Sequence, residues 1–175
     1  MTVGVIAKSL RDRDEFKGKF DIGKEDLFMA GVVHDIGKQV LAHFFNEMFQ
    51  MVLDEMKAGK GMHEVEMDVL GLTDTHIGAG LADKWQLPSS LSSVIGSHHD
   101  PTSDNANEMT KLIHLADIAA KQLDMGVSEK QKDAQPHEAL LTALEMEAEA
   151  FGEIRGDMEI TIRKQVADTF STIFK

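Results

Sequence analysis

Leu27, Phe28, Ala30, Gly31 and Val32 form a nearly all-round apolar segment that runs straight into Val33-His34-Asp35-Ile36-Gly37-Lys38. A helix that is apolar on every side has to be buried, so this segment is expected at the centre of the fold. Glu25 and Asp26 stand where a helix N-terminus favours acids, and the helix should end around His34 to Gly37. Gly31 has no side chain, so a second helix can come close there. An imidazole and a carboxylate at the end of such a helix are costly to bury unless something compensates them. The simplest compensation is a metal ion, which takes neutral imidazole and ionised carboxylate together. The rest of the chain is then asked to supply the other ligands.

The chain has 175 residues, of which 42% are hydrophobic and 27% charged. That suffices for one domain with a sizeable core and is short for two. It holds three prolines and many Ala, Leu, Met, Glu and Lys, a composition that favours helix. The net charge of −12 sets the bulk electrostatics against nucleic acid and anionic membrane as partners, while leaving room for a local basic pocket. With no cysteine there is no disulfide, no thiolate metal site and no cysteine nucleophile, which fits a cytoplasmic location. No apolar run is long enough to span a bilayer, and no signal-peptide core follows the N-terminus.

Taken in order, residues 1 to 15 read as a helix on Val3, Ile6 and Leu10, with no lead-in before them. Residues 16 to 23 read as a loop. A long helix over 39 to 56 is expected from the apolar stripe Val40, Leu41, Phe44, Phe45, Met48, Met51, Val52 and Met56. Met62 to Leu70 is a short helix of mixed character. Thr73 or Asp74 caps a helix through Trp85, in which His76 is followed by Ile77-Gly78-Ala79-Gly80. Those small residues imply close packing at some cost in helix propensity. Leu87-Pro88-Ser89-Ser90 turns into a helix ending at Gly96-Ser97-His98-His99-Asp100-Pro101, since Pro101 restricts Asp100. Asp104 to Asn107 caps a helix through Leu123, with Met109, Leu112, Ile113, Ala116, Ala119 and Ala120 inward. Residues 125 to 135 read as a loop. A short helix follows Pro136, and a final one covers 154 to 174 on Ile160, Ile162, Val166, Phe170 and Ile173. No strand alternation and no repeat occur. The fold class is all-α, with about eight or nine helices.

The residues that could carry chemistry are His34, Asp35, His76, His98, His99 and Asp117. Four imidazoles and two carboxylates without thiolates suit iron, manganese, zinc, nickel or magnesium, and the sequence does not distinguish among them. His43 and His63 read as surface residues, His114 as a core or supporting residue on a helix already represented by Asp117, and His137 as solvated near a helix start. Glu145, Glu147 and Glu149 read as a solvated helix face.

Several motifs in this order resemble the HD-domain superfamily of metal-dependent phosphohydrolases. They are Val32 through Lys38, His76-Ile77-Gly78-Ala79, Ile95 through Pro101, and Ile113-His114-Leu115-Ala116-Asp117. More narrowly, Glu66-Met67-Asp68-Val69-Leu70-Gly71, Thr75 to Ala79, Trp85-Gln86-Leu87-Pro88 and His98-His99-Asp100-Pro101 resemble the HDOD branch of bacterial signalling domains. The likeness covers roughly residues 1 to 125, with a looser match over the helices of 136 to 174. It implies a single HD/HDOD-like helical bundle over 1 to 175.

The resemblance implies roles for each residue. His34, Asp35 and Asp117 would bind one metal together with a histidine from an earlier helix. His76, His98 and His99 would hold a second metal in two-metal members, with Asp35 bridging. Lys38 would face an anionic group. Residues 1 to 33 contain no histidine, so either the chain is a piece of a longer protein lacking its N-terminal part, or the first metal site is incomplete. The cyclic-di-GMP phosphodiesterase branch carries a glycine-tyrosine-proline signature after the paired histidines. Here Asp100-Pro101-Thr102-Ser103 follows them and the chain has no tyrosine, which argues against that activity. The expectation is an HDOD-type regulatory domain with a largely retained site for one or two divalent metal ions. Its partner would be a signalling protein or a fused domain, with a phosphorylated small molecule as a further candidate ligand. The alternative is an active metal-dependent phosphohydrolase.

Overall fold

Small residues decide how the first helices meet. In the computed structural model, which describes residues 1–56, 60–125 and 134–173, α1 (Thr2–Arg11) and α2 (Lys24–Val33) cross where Gly4 meets Gly31. A Cβ on Gly31 would overlap the Gly4 backbone, and one on Gly4 would meet the Phe28 carbonyl. Only glycine permits this approach at both positions. The close contact expected at Gly31 is therefore present, and α1 is the partner.

The chain divides into two compact units, one of residues Met1–Val32 and Ser97–Lys175, the other of Val33–Gly96. The first unit holds α1, a 3-10 turn (Asp14–Phe16), nearly all of α2, α8 (Glu108–Gln122), α9 (Glu138–Ala143) and α10 (Ala148–Ile173). Its centre is α8, whose residues from Met109 to Ala120 are buried with the exception of Lys111. Asn107 starts α8 with a reciprocal cap: its side chain accepts the Thr110 N–H at 2.8 Å, and its own N–H donates to the Thr110 hydroxyl at 3.2 Å. α1 packs against both α8 and α10. On α10, Phe151, Ile154, Met158, Ile162 and Val166 make one buried stripe.

Three expectations are corrected in this unit. The central helix is α8, not α2: α2 buries only Leu27, Ala30 and Gly31 and leaves Met29 and Val32 exposed. Ile160 and Phe170 fall off the buried stripe of α10 and are exposed. Of the three acids near residue 147, only Glu149 belongs to α10, while Glu145 occupies a left-handed turn position (φ 53°). The expected loop at 125 to 135 lies largely outside the described residues.

The second unit holds α3 (Ile36–Phe44), α4 (Asn46–Met56), α5 (Met62–Leu70), α6 (Asp74–Lys84) and α7 (Ser89–Ser97), the last running one residue past its edge. α3 packs on α6, and α4 packs on α3 and α5. Val52, Met56 and Val65 form a small core with Leu53, Met62, Val69 and Leu70 around it. The helix expected over 39 to 56 is two helices. Phe45 leaves helical angles (φ −128°, ψ 41°), and the Asn46 side-chain amide, at 3.3 Å, takes the Ala42 carbonyl that a continuing helix would use. The break turns Phe44, Phe45, Met48 and Met51 to solvent, so only part of the apolar stripe is core. The all-α class holds throughout the described residues. α6 ends on Trp85, its exposed C-cap.

Candidate functional site

In the second unit the HD motif sits between two helices, with Asp35 as the N-cap of α3. Its carboxylate does not cap the helix. One oxygen lies 2.6 Å from the Lys38 Nζ, and the other lies 3.3 Å from the His34 Nε2. Lys38, one turn into α3, is the one buried lysine or arginine among the described residues. Its ammonium also lies 3.6 Å from the carboxylate of Asp74, which is 2% exposed. Charges so placed have little water to screen them and interact more strongly than surface pairs.

Local sequence explains why α3 and α6 can meet this way. A Cβ on Gly37 would overlap the Asp74 carbonyl oxygen, so the start of α3 lies directly on the start of α6. α6 is opened by Thr73 in a capping box with His76: the Thr73 side chain accepts the His76 N–H, and the His76 Nδ1 accepts the Thr73 N–H at 3.2 Å. Glu66 of α5 adds a third tie. It is fully buried, and its Oε2 accepts the Asp74 N–H at 3.0 Å. Burial, helped by the negative charge of Asp74, pushes the Glu66 carboxyl up to about 8, so near pH 7 it is predominantly protonated.

In the first unit His98 and His99 follow α7. His98 is fully buried, and the two rings lie 4.0 Å apart between centroids. His114 of α8 holds this stretch from below. Its Nε2 accepts the His137 N–H at 3.1 Å, so its Nδ1 carries the proton and donates to the His98 carbonyl at 2.8 Å. Burial pushes the His114 imidazole below its usual range. With both nitrogens committed, His114 supports the site and is not itself a ligand. Asp117, one turn on and 6% exposed, pairs with Lys121 at 2.6 Å. Asp100 folds into a turn, its Oδ1 accepting from the Thr102 N–H and hydroxyl.

The expected ligands thus divide three and three between the units. His34, Asp35 and His76 belong to the second, and His98, His99 and Asp117 to the first. Within the second unit His34 and Asp35 are in contact, whereas His76 is exposed and has one nitrogen engaged at the helix cap. Lys38, expected to face an anionic group, faces the protein's own carboxylates. An imidazole–carboxylate contact and a pair of neighbouring imidazoles, without thiolates, are donors of the kind that suit a divalent metal. His34 and Asp35 in the second unit, and His98, His99 and Asp117 in the first, are donors whose chemistry fits that role.

Two residues central to this geometry escaped the sequence reading. Asp74 read only as a cap, and Glu66 only as part of a motif. The available signal was an acid directly beside Val65 on a helix that needed an inward face.

Helices carrying these histidines and aspartates, with no strand among the described residues, make an all-α fold. The crystal structure of a Shewanella amazonensis SB2B protein, provisionally named a phosphohydrolase, shares that fold at a TM-score of 0.65 and 18% identity. The match covers 90% of this chain and 56% of that one, so the chain spans little more than half the length of its neighbour. The model of the HDOD domain family matches residues 1–101, and the chain belongs to that family. No curated protein sequence is detectably similar to it.

Proposed function

We propose that the chain is an HDOD-type regulatory domain of bacterial signal transduction. It would work through contact with a signalling protein or a fused domain and carry out no turnover of its own. One observation carries this reading. Asp35, the residue an HD hydrolase would use to bridge metals, has its carboxylate in an ion pair with a buried lysine. The alternative is a metal-dependent phosphohydrolase, supported by the contact between His34 and Asp35 and the paired rings of His98 and His99. In that case His34, Asp35, His76, His98, His99 and Asp117 would hold one or two divalent ions, which supply an activated water for attack on a phosphoester. Among the described residues no helix is long and apolar enough to cross a membrane, and the cysteine-free composition suits a cytoplasmic setting.

The test is metal analysis of purified protein, then a panel of phosphomonoesters, phosphodiesters and cyclic nucleotides with Mn²⁺, Fe²⁺, Ni²⁺, Zn²⁺ or Mg²⁺. The expected result is no hydrolysis above the protein-free rate. Turnover that disappears in both His98→Ala and Asp35→Ala would replace the regulatory reading with the enzymatic one.

A further inference from the structure

Lys38 occupies a position where a side chain ammonium is hard to accommodate without a reason. A buried lysine loses the hydration of its charge and the freedom of a long side chain. Such a residue persists where it balances charge that would otherwise be worse off. Lys38 lies 2.6 Å from Asp35 and 3.6 Å from Asp74, carboxylates that belong to the starts of two different helices. The backbones of those helices touch at Gly37 and Asp74, so packing holds the two acidic residues close. Glu66 reaches the same place through the Asp74 N–H and, being mostly protonated, adds little further negative charge.

We propose that Lys38 is an internal cation of the HD motif: its ammonium supplies, between α3 and α6, the positive charge that holds Asp35 and Asp74 together, so the domain folds without a divalent metal. This extends the regulatory reading, since a scaffold that carries its own cation has no need to load metal to keep its shape. It also gives Lys38 a positioning role in place of contact with an outside anion.

The experiment compares thermal unfolding of the full chain as wild type, Lys38→Met and the double variant Lys38→Met/Asp35→Asn, each in EDTA and in millimolar Mn²⁺. Methionine keeps the length of the stem and removes the charge. Wild type should unfold within about 2 °C in the two buffers, and Lys38→Met should lose about 10 °C or more in EDTA. The double variant, relieved of one of the two facing charges, should regain part of that loss. The proposal is overturned if wild type itself needs Mn²⁺ to fold, or if the double variant is as unstable as the single one. Should Lys38→Met be too unstable to purify, the double variant's melting temperature decides alone. Mn²⁺ titration by calorimetry runs beside these melts. If no variant binds Mn²⁺ while the double variant still recovers, the metal reading fails and the lysine's role stands.

Discussion

The two units hold their chemistry by different means. In the second, Lys38 forms ion pairs with Asp35 and Asp74, with the buried carboxyl of Glu66 behind them. In the first, His98 is positioned by a neutral relay, with His114 donating to its carbonyl and accepting from the His137 N–H. Ionic placement is strong but unforgiving, because losing one partner strands a buried charge. A neutral relay costs less to break and leaves dipoles, not charges, unsatisfied. The same difference bears on pH, since the two arrangements favour opposite protonation responses.

The sharpest way to break the comparison is at the backbone contact beneath the ionic set. Gly37→Ala should cost about 3 kcal/mol or more in urea unfolding, because the new methyl group meets the Asp74 carbonyl and neither backbone can yield easily. A cost below about 1 kcal/mol would mean α3 and α6 are not locked there. Next comes Glu66→Ala, which removes the acceptor for the Asp74 N–H and opens a cavity, for about 2–3 kcal/mol. Glu66→Gln keeps the shape and an acceptor and should cost about 1 kcal/mol or less. In the neutral relay, His114→Phe leaves the His98 carbonyl and the His137 N–H without their partner. About 2 kcal/mol is expected there, measured in the same denaturant series.

The pH slopes complete the comparison, and their signs oppose each other. Folding raises the Glu66 carboxyl from 4.5 to about 8. Its contribution is therefore complete below about 4.5 and is lost as pH rises through about 8. Folding lowers the His114 imidazole below 6.5. Its contribution is complete above that value and is lost as pH falls through the lowered one. Neither slope can exceed about 1.4 kcal/mol per pH unit, the limit for one proton. Stability against pH for wild type, Glu66→Gln and His114→Phe should show each variant losing one of the two slopes. If Glu66→Gln leaves the fall between pH 5 and 8 unchanged, Glu66 is not the group that titrates.

How legible the molecule was follows the same division. Helices with capping chemistry or small-residue packing were readable: Thr73 or Asp74 announced one helix, the stretch Asp104 to Asn107 another, and Gly31 its close neighbour. The stripe from Val40 to Met56 was misleading because periodicity records which residues share a face and not whether the helix survives. Phe45 breaks it without proline or glycine. α2 read as central because apolar residues all round leave no outward face to predict, and α8 took that place through length and alanines. The motif histidines and aspartates were visible as types at spacings. The second partner of Lys38 was not, because Asp74 lies thirty-six residues away in sequence and reaches it only through the contact of α3 and α6.

Trp85 gives this division a practical side. The chain has one tryptophan and no tyrosine, and the indole sits at the end of the helix that Asp74 begins. Intrinsic fluorescence therefore reports the surroundings of the end of α6. The ring is already 55% exposed, so its emission should change little on complete unfolding. A fluorescence transition that departs from circular dichroism would then describe the surroundings of one helix end and would not by itself signal a populated intermediate.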